Sequence, residues 1–285
     1  MRRLNLHMLA AFAAVGLLSA TGLVSAQSLK VDDRVRSDRA VGLAINGNTE
    51  GALQTASRIA RPDRRDRAFA RVAMIVSRAG NDNAAQVMLS RIDDAGRRDT
   101  AAVDVGIILA RRAKLAEAGK MAARLNSRRS DQVRAVIAAV LAEKGRIRDG
   151  RAMARRASDL LRRRQSLVAY RGGLARSMSA SEAMGVARSA ETAADRVLSM
   201  LAVARRLMLD GKISEALPAL SWVRQQAPKT TEGTALRQRA AADTAMILLQ
   251  AGDLEGARQS AGDVADKGLR QFLLRQIDVT RHFQP

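Results

Sequence analysis

The sequence predicts an all-α protein, built as a solenoid of about seven helix-pair repeats that ends in a C-terminal capping helix. Three observations predict this fold class. Turn-forming residues recur at a nearly constant interval, and the apolar residues between them follow helical spacing. Alanine is abundant while aromatic residues make up only 2% of the chain. Because alanine has the highest helix propensity and a small side chain, it favours helices that pack closely together.

Seven pairs of small or turn-forming residues mark the repeat, and the two members of each pair lie five positions apart. The first members are Gly47, Gly80, Ala113, Gly145, Met178, Gly211 and Gly252, and the second members are Ala52, Ala85, Ala118, Gly150, Ala183, Ala216 and Ala257. Successive second members are separated by 33, 33, 32, 33, 33 and 41 residues, with extra residues near 225–231 in the last interval. A constant interval of this length is typical of stacked helical repeats.

Each unit carries the pattern of two helices. Apolar or small residues follow each second member by four and seven positions, which is one face of a helix. Nine positions before it stands a large apolar residue, in order Leu43, Val76, Leu109, Leu141, Leu174, Leu207 and Leu248. A small residue usually precedes that one by three positions and leaves a notch for a neighbouring helix. Arg171 breaks this pattern, so Gly172 and Gly173 are expected to form a shifted notch in a locally loose helix, since each glycine costs roughly 1 kcal/mol relative to alanine.

The inter-helix runs GKISEA at 211–216 and GDLEGA at 252–257, together with the small residue midway along each first helix, resemble the tetratricopeptide repeat. Pro228 stands where that family often has its repeat-ending proline. The resemblance covers residues 33–266, although the period is 33 and alanine, valine or leucine fill the aromatic positions of the family. It implies a right-handed α-solenoid in which the first helix of each pair lines a concave surface. An ordinary helical bundle with accidental periodicity is the alternative.

The two ends of the chain differ from the repeats. Arg2 and Arg3, an apolar run at 9–24 and small residues up to Ala26 predict a signal peptide cleaved after Ala26. The run is shorter than the roughly 20 residues that span a membrane. A short extension, 27–32, would follow the signal. We therefore expect a periplasmic or secreted protein, and an uncleaved signal that anchors the chain in a membrane is the alternative.

The last segment, 267–285, is predicted to be a capping helix and tail. Its sequence GLRQFLLRQIDVTR at 268–281 has the spacing of an amphipathic helix. A terminal helix with a polar outer face keeps the end of a solenoid soluble.

Catalytic and metal-binding residue types are scarce. The chain has no cysteine and only two histidines, His7 and His282, which excludes thiol chemistry and histidine pairs at metal-ligand spacing. Asp93 and Asp94 form the pattern of a general acid–base pair, but helix capping is the favoured interpretation because no partner acid or binding aromatic is in register. Trp222 is expected to be half-buried between units six and seven. We therefore predict a protein that is not an enzyme and has no catalytic residue, cofactor or metal.

Basic residues recur at the turns between units, and the formal net charge is +21. Because the units stack, residues one period apart share an edge, which predicts a basic ridge. Its members are Arg65, Arg98, Arg129, Arg163 and Arg196. Aspartates of these turns, such as Asp66 and Asp131, are expected to cap the next helix. A ridge of this kind attracts anions, whereas the alternative is a solvated rim of an arginine-rich chain.

The resemblance also places a set of arginines on the concave surface. They are Arg67, Arg78, Arg111, Arg176, Arg205 and Arg239. Guanidinium groups bind carboxylates through two parallel hydrogen bonds. We therefore expect an exported scaffold for protein–protein interaction that binds an acidic peptide or protein partner in this groove.

Two other partner classes also suit the charge. An anionic lipid or polysaccharide of the cell envelope, bound along the basic ridge, is the alternative to an acidic protein. Nucleic acid suits the charge as well. Export and the scarcity of aromatic residues for base stacking disfavour it.

Overall fold

The computed structural model describes residues 33–227 and 233–282, which form fifteen α-helices. Within these ranges no β-strand is present, so the predicted all-α class is confirmed. The predicted signal peptide at 1–26, the extension at 27–32 and Pro228 lie outside the described residues.

Helices of two kinds alternate along the chain. The first helices of successive pairs have 13 to 18 residues: α1 (Asp33–Ile45), α3 (Pro62–Arg78), α5 (Ala95–Arg111), α7 (Ser127–Glu143), α9 (Leu160–Leu174), α11 (Ala193–Leu209) and α13 (Gly233–Gln250). The second helices have nine residues, except α12 with 14: α2 (Thr49–Ser57), α4 (Asp82–Ser90), α6 (Leu115–Ala123), α8 (Ile147–Arg155), α10 (Ala180–Arg188), α12 (Ile213–Gln226) and α14 (Leu254–Gly262). The last helix, α15 (Lys267–His282), covers the segment predicted to be amphipathic.

The packing order follows this alternation. Each first helix packs on the next first helix and on its own second helix, whereas among the second helices only α10 and α12 make appreciable contact with each other. α15 packs on α13 and α14 at the C-terminal end. This arrangement is compatible with a helical repeat.

The turn inside most helix pairs is a left-handed cap. Six of the seven first members of the residue pairs have positive φ, namely Gly47, Gly80, Ala113, Gly145, Gly211 and Gly252. The next amide donates to a carbonyl five residues back, as from Asn48 to Leu43 at 2.9 Å. This is the Schellman motif, which favours glycine because a Cβ is strained at positive φ. Met178 is the exception, and there Ser179 and Glu182 start α10 with a capping box.

The small residues of the repeat lie in the core. All seven second members of the residue pairs are buried. At Gly150 an added Cβ would lie 2.9 Å from the carbonyl oxygen of Ala138 and 3.1 Å from the Tyr170 ring. Small residues at these positions therefore let each second helix approach its own first helix.

Gly172 and Gly173 form the notch that the sequence predicts, but the helix around them is not loose. A Cβ on Gly173 would overlap the carbonyl oxygen of Ala139 in α7, and one on Gly172 would lie 3.0 Å from the Cβ of Ala202 in α11. Both glycines are buried. The expectation of a loose segment was wrong, because close packing against two neighbouring helices outweighs the low helix propensity of glycine.

Carboxylates near the N-terminal ends of first helices link consecutive units. The Asp66 carboxylate accepts hydrogen bonds from the backbone amides of Asp93 and Asp94, at 3.2 and 2.9 Å. Asp33 accepts from the amides of Ala60 and Arg61 in the same way. Asp131 likewise accepts from the Ser158 amide at 2.9 Å. Asp66 and Asp131 therefore hold the loop before the next first helix, whereas the sequence assigned them to turns as caps.

Candidate functional site

A groove lies on the surface formed by the first helices. It has a volume of about 370 Å³ and is lined by residues of α5, α7, α9, α11 and α13, with none from a second helix. Its floor is apolar and includes Ala139, Val168, Leu198, Leu201, Ala202 and Ile247. Its charged residues are Arg111, Glu143, Arg205, Arg206, Arg239 and Asp243. We call this surface the first-helix groove.

The notch in α9 shapes the floor of the groove. Gly172 and Gly173 allow α9 to approach α11 and α7 closely, so small residues of three helices form one shallow apolar surface. Leu209, at the end of α11, lies at the edge with 70% of its surface exposed.

Two arginines at the rim of the groove share one carboxylate. Arg205 and Arg239 lie 3.8 and 3.7 Å from the Asp243 carboxylate, and their side chains remain 61% and 71% exposed. Exposed ion pairs at such distances contribute little free energy. Both guanidinium groups therefore keep donors available for a second carboxylate.

Two of the remaining charged residues of the groove form an ion pair, Arg206 of α11 with Glu143 of α7. Burial is the main cause that lowers the pKa of Arg206, and the nearby charge of Arg111 lowers it further. Arg111 itself is exposed and forms no salt bridge within the described parts of the chain. The groove thus gathers positive charge that is only partly neutralised.

The six groove arginines expected from the sequence separate into three sets, of which the third is Arg176 alone. The structure brings Arg111, Arg205 and Arg239 together in the first-helix groove. Arg67 and Arg78 are exposed on α3, which does not line the groove. Arg206 and Glu143 were not singled out by the sequence, although Arg205 and Arg206 form a basic doublet near the end of a predicted first helix.

Arg176 links three units. It donates to both carboxylate oxygens of Asp210, at 3.0 and 2.9 Å, and to Glu143 at 3.2 Å. The hydrogen bond from Arg176 is the main cause that holds the pKa of Asp210 below its ordinary value. Arg176 therefore stabilises the stack rather than lining the groove.

The Arg176–Asp210 pair predicts a pH dependence of stability. Because the pKa of Asp210 is lowered in the folded protein, its contribution is present above the unfolded value of 3.8 and is lost as the pH falls through the folded pKa. We expect Asp210→Asn to lower the free energy of unfolding by about 1 kcal/mol at neutral pH, discounted because Arg176 is 44% exposed. Urea unfolding at neutral pH and at a series of pH values below 3.8 should show this difference in free energy shrink as the pH falls. A difference that stays constant as the pH falls would contradict this assignment.

The ridge arginines are mostly engaged within the molecule. Arg65 donates to the Asp93 carboxylate at 2.7 Å, and Arg129 donates to the Asp99 carboxylate at 2.6 Å. Two others donate to backbone carbonyl oxygens, Arg98 to Ile92 at 3.3 Å and Arg196 to Ala190 at 3.1 Å. Arg163 differs from these four, because it is exposed and has no such partner in the described ranges.

The carboxylate pair that the sequence offers as a catalytic dyad is used in the fold. Asp94 caps α5 by accepting from the Arg97 amide at 2.6 Å, and Asp93 pairs with Arg65. Among the described residues, no group of three or more His, Asp or Glu side chains is placed to hold a metal ion. Trp222 is half-buried against the core.

Across 33–227 and 233–282, no helix has the length and apolar character needed to cross a membrane.

Comparisons with known proteins give weak structural similarity and no match in sequence. No protein family matches the chain, and no curated protein matches it. Among solved structures, the chain is similar to Ton1535 from Thermococcus onnurineus NA1, with 14% sequence identity and a TM-score of 0.34. The match covers 89% of this chain and 82% of that one. A likeness of this size carries no functional argument.

Proposed function

We propose that this protein is an exported, tetratricopeptide-like scaffold, a right-handed solenoid of about seven helix pairs, that binds an acidic segment of a protein partner in the first-helix groove. The observation that carries the proposal is the convergence of Arg111, Arg205 and Arg239, from three different helices, above one apolar floor. The alternation of long and short helices with repeated Schellman turns supports the solenoid.

The chemistry of the groove favours a peptide carboxylate. Asp243 is the weak, shared partner of Arg205 and Arg239, so a ligand carboxylate gains charge-assisted hydrogen bonds from groups that are already close together. The apolar floor suits side chains that flank the acidic residue. A volume of about 370 Å³ is sufficient for a few residues of an extended segment.

Charge reversal at the groove tests this proposal. We expect Arg205→Glu/Arg239→Glu to weaken binding of a fluorescent peptide, rich in Asp, Glu and Leu, by at least about tenfold in fluorescence anisotropy. The control is Arg91→Glu/Arg124→Glu, which makes the same charge change at exposed residues that end α4 and α6. Equal weakening by both variants would show attraction by net charge alone. Unchanged binding in the groove variant would overturn the proposal.

Export is tested separately. We expect the protein purified from its native cell to begin at Gln27, as read by N-terminal sequencing, because signal peptidase cleaves after small residues such as Ala26. A mature chain that begins at Met1 would contradict cleavage and favour the membrane-anchored alternative.

A further inference from the structure

A second concave surface lies on the opposite face of α9 from the first-helix groove. It is an open cleft of about 550 Å³ between α8, α9 and α10. We call it the basic cleft. Five arginines line it against two carboxylates, Glu191 and Asp195: Arg151, Arg155, Arg163, Arg164 and Arg171.

Three of these arginines are not neutralised. Arg164 donates to the Asp195 carboxylate at 2.8 Å, which leaves Glu191 as the only other carboxylate lining the cleft. Arg151, Arg155 and Arg163 are exposed and form no salt bridge in the part of the chain that the structure describes. The basic cleft therefore has an excess of positive charge directed at solvent.

Arg171 adds to this excess from deeper in the cleft. It is half-buried and donates to the Ser199 hydroxyl at 3.3 Å. Burial is the main cause that lowers its pKa, since it disfavours the charged form. An anion bound in the cleft would offset that cost.

Large apolar side chains stand exposed beside the same arginines. Leu160 and Leu161, in the first turn of α9, are 70% and 62% exposed, and Ile147 at the start of α8 is 40% exposed. Leu160 and Ile147 line the basic cleft. Packing within the chain does not explain a pair of exposed leucines next to a cluster of uncompensated arginines.

We infer that the basic cleft docks on an anionic phospholipid surface. Leu160 and Leu161 enter the acyl boundary, while guanidinium groups around them bind lipid phosphates. The exposed face of α8, with Arg148, Arg151 and Arg155, is that of a basic interfacial helix. A charged polysaccharide would satisfy the arginines but would leave the leucines in water, so the combination favours a lipid surface.

This inference is independent of the peptide groove. The sequence predicted anion binding along the whole basic ridge. The basic cleft places that binding at one point of the ridge, because Arg163 is the ridge residue that lines the cleft. The two surfaces use different residues of α9. Failure of one proposal can therefore be distinguished from failure of the other.

The absence of cysteine allows a direct test in the full chain. Leu161→Cys, labelled with an environment-sensitive dye, is mixed with vesicles of phosphatidylglycerol or of phosphatidylcholine. The matched control is Val87→Cys on α4, a position that is 43% exposed on a helix that does not line the basic cleft. We expect the fluorescence emission of the dye at position 161 to shift to the blue and to be quenched by a lipid-borne quencher on phosphatidylglycerol vesicles. We expect neither change on phosphatidylcholine vesicles or for the dye at position 87. Binding through the apolar residues 9–24 would bring both labelled positions to the vesicle alike.

A charge-neutral variant completes the test. We expect Arg151→Gln/Arg155→Gln/Arg163→Gln, in the Leu161→Cys background, to reduce partitioning to phosphatidylglycerol by about 100-fold while peptide binding in the first-helix groove is kept. Equal responses at positions 161 and 87, insertion into phosphatidylcholine, or unchanged partitioning of the triple variant would overturn the inference. Saturable binding of inorganic phosphate without insertion of the dye would overturn it in favour of a soluble ligand.

Discussion

Gly173→Ala is expected to lower the free energy of unfolding by about 2 kcal/mol. The new Cβ would overlap the carbonyl oxygen of Ala139 and would lie 3.1 Å from the Cβ of Ala142, so α9 and α7 must separate. Helix propensity alone predicts the opposite sign, because alanine is favoured over glycine in a helix by about 1 kcal/mol. Urea unfolding followed by circular dichroism measures the change.

The control for this substitution is Gly185→Ala in α10, where an added Cβ meets nothing within 4 Å. We expect that variant to be stabilised by up to about 1 kcal/mol. Stabilisation by both substitutions would show that α7 and α9 do not approach as closely as described.

Asp66→Ala is expected to destabilise the protein by about 3 kcal/mol. The substitution removes the acceptor for the amides of Asp93 and Asp94, and the Asp66 side chain is buried, so water does not readily replace it. Asp66→Asn should cost less, because one amide oxygen still accepts. Hydrogen exchange of the two amides should accelerate together with the loss of stability.

Asp38→Ala is the matched control for this prediction. Asp38 is exposed on α1 and lies 3.6 Å from Arg71, so its removal should change the stability by less than about 1 kcal/mol. A similar cost for Asp66→Ala and Asp38→Ala would contradict a specific link between units.

The alternation of helices and turns was predictable because the turns and notches have strict local requirements. Positive φ selects glycine at positions such as Gly47 and Gly145, and close helix contact selects a small residue at positions such as Ala52. Both requirements act over a few residues and are visible in one sequence. The role of Asp66 was not predictable in this way, because its two partners lie 27 and 28 residues away along the chain.

The candidate site was predictable only in part. The resemblance to a known repeat selected Arg111, Arg205 and Arg239, which the structure brings together, but it also selected Arg176. Whether an arginine faces a ligand or an internal carboxylate depends on the neighbouring units. The same limit applies to the basic ridge, where Arg65 and Arg129 meet Asp93 and Asp99.

The contact pattern between helices gives the stack one stiff side and one compliant side. First helices form an unbroken series of contacts, whereas second helices make few contacts with one another: α10 packs on α12, but α8 and α10 make no appreciable contact. Flexure of the stack should therefore change the spacing of the second helices more than that of the first helices. A ligand in the first-helix groove that draws α7, α9 and α11 together would move α8 away from α10. Binding in the first-helix groove would therefore widen the basic cleft on the opposite face of α9.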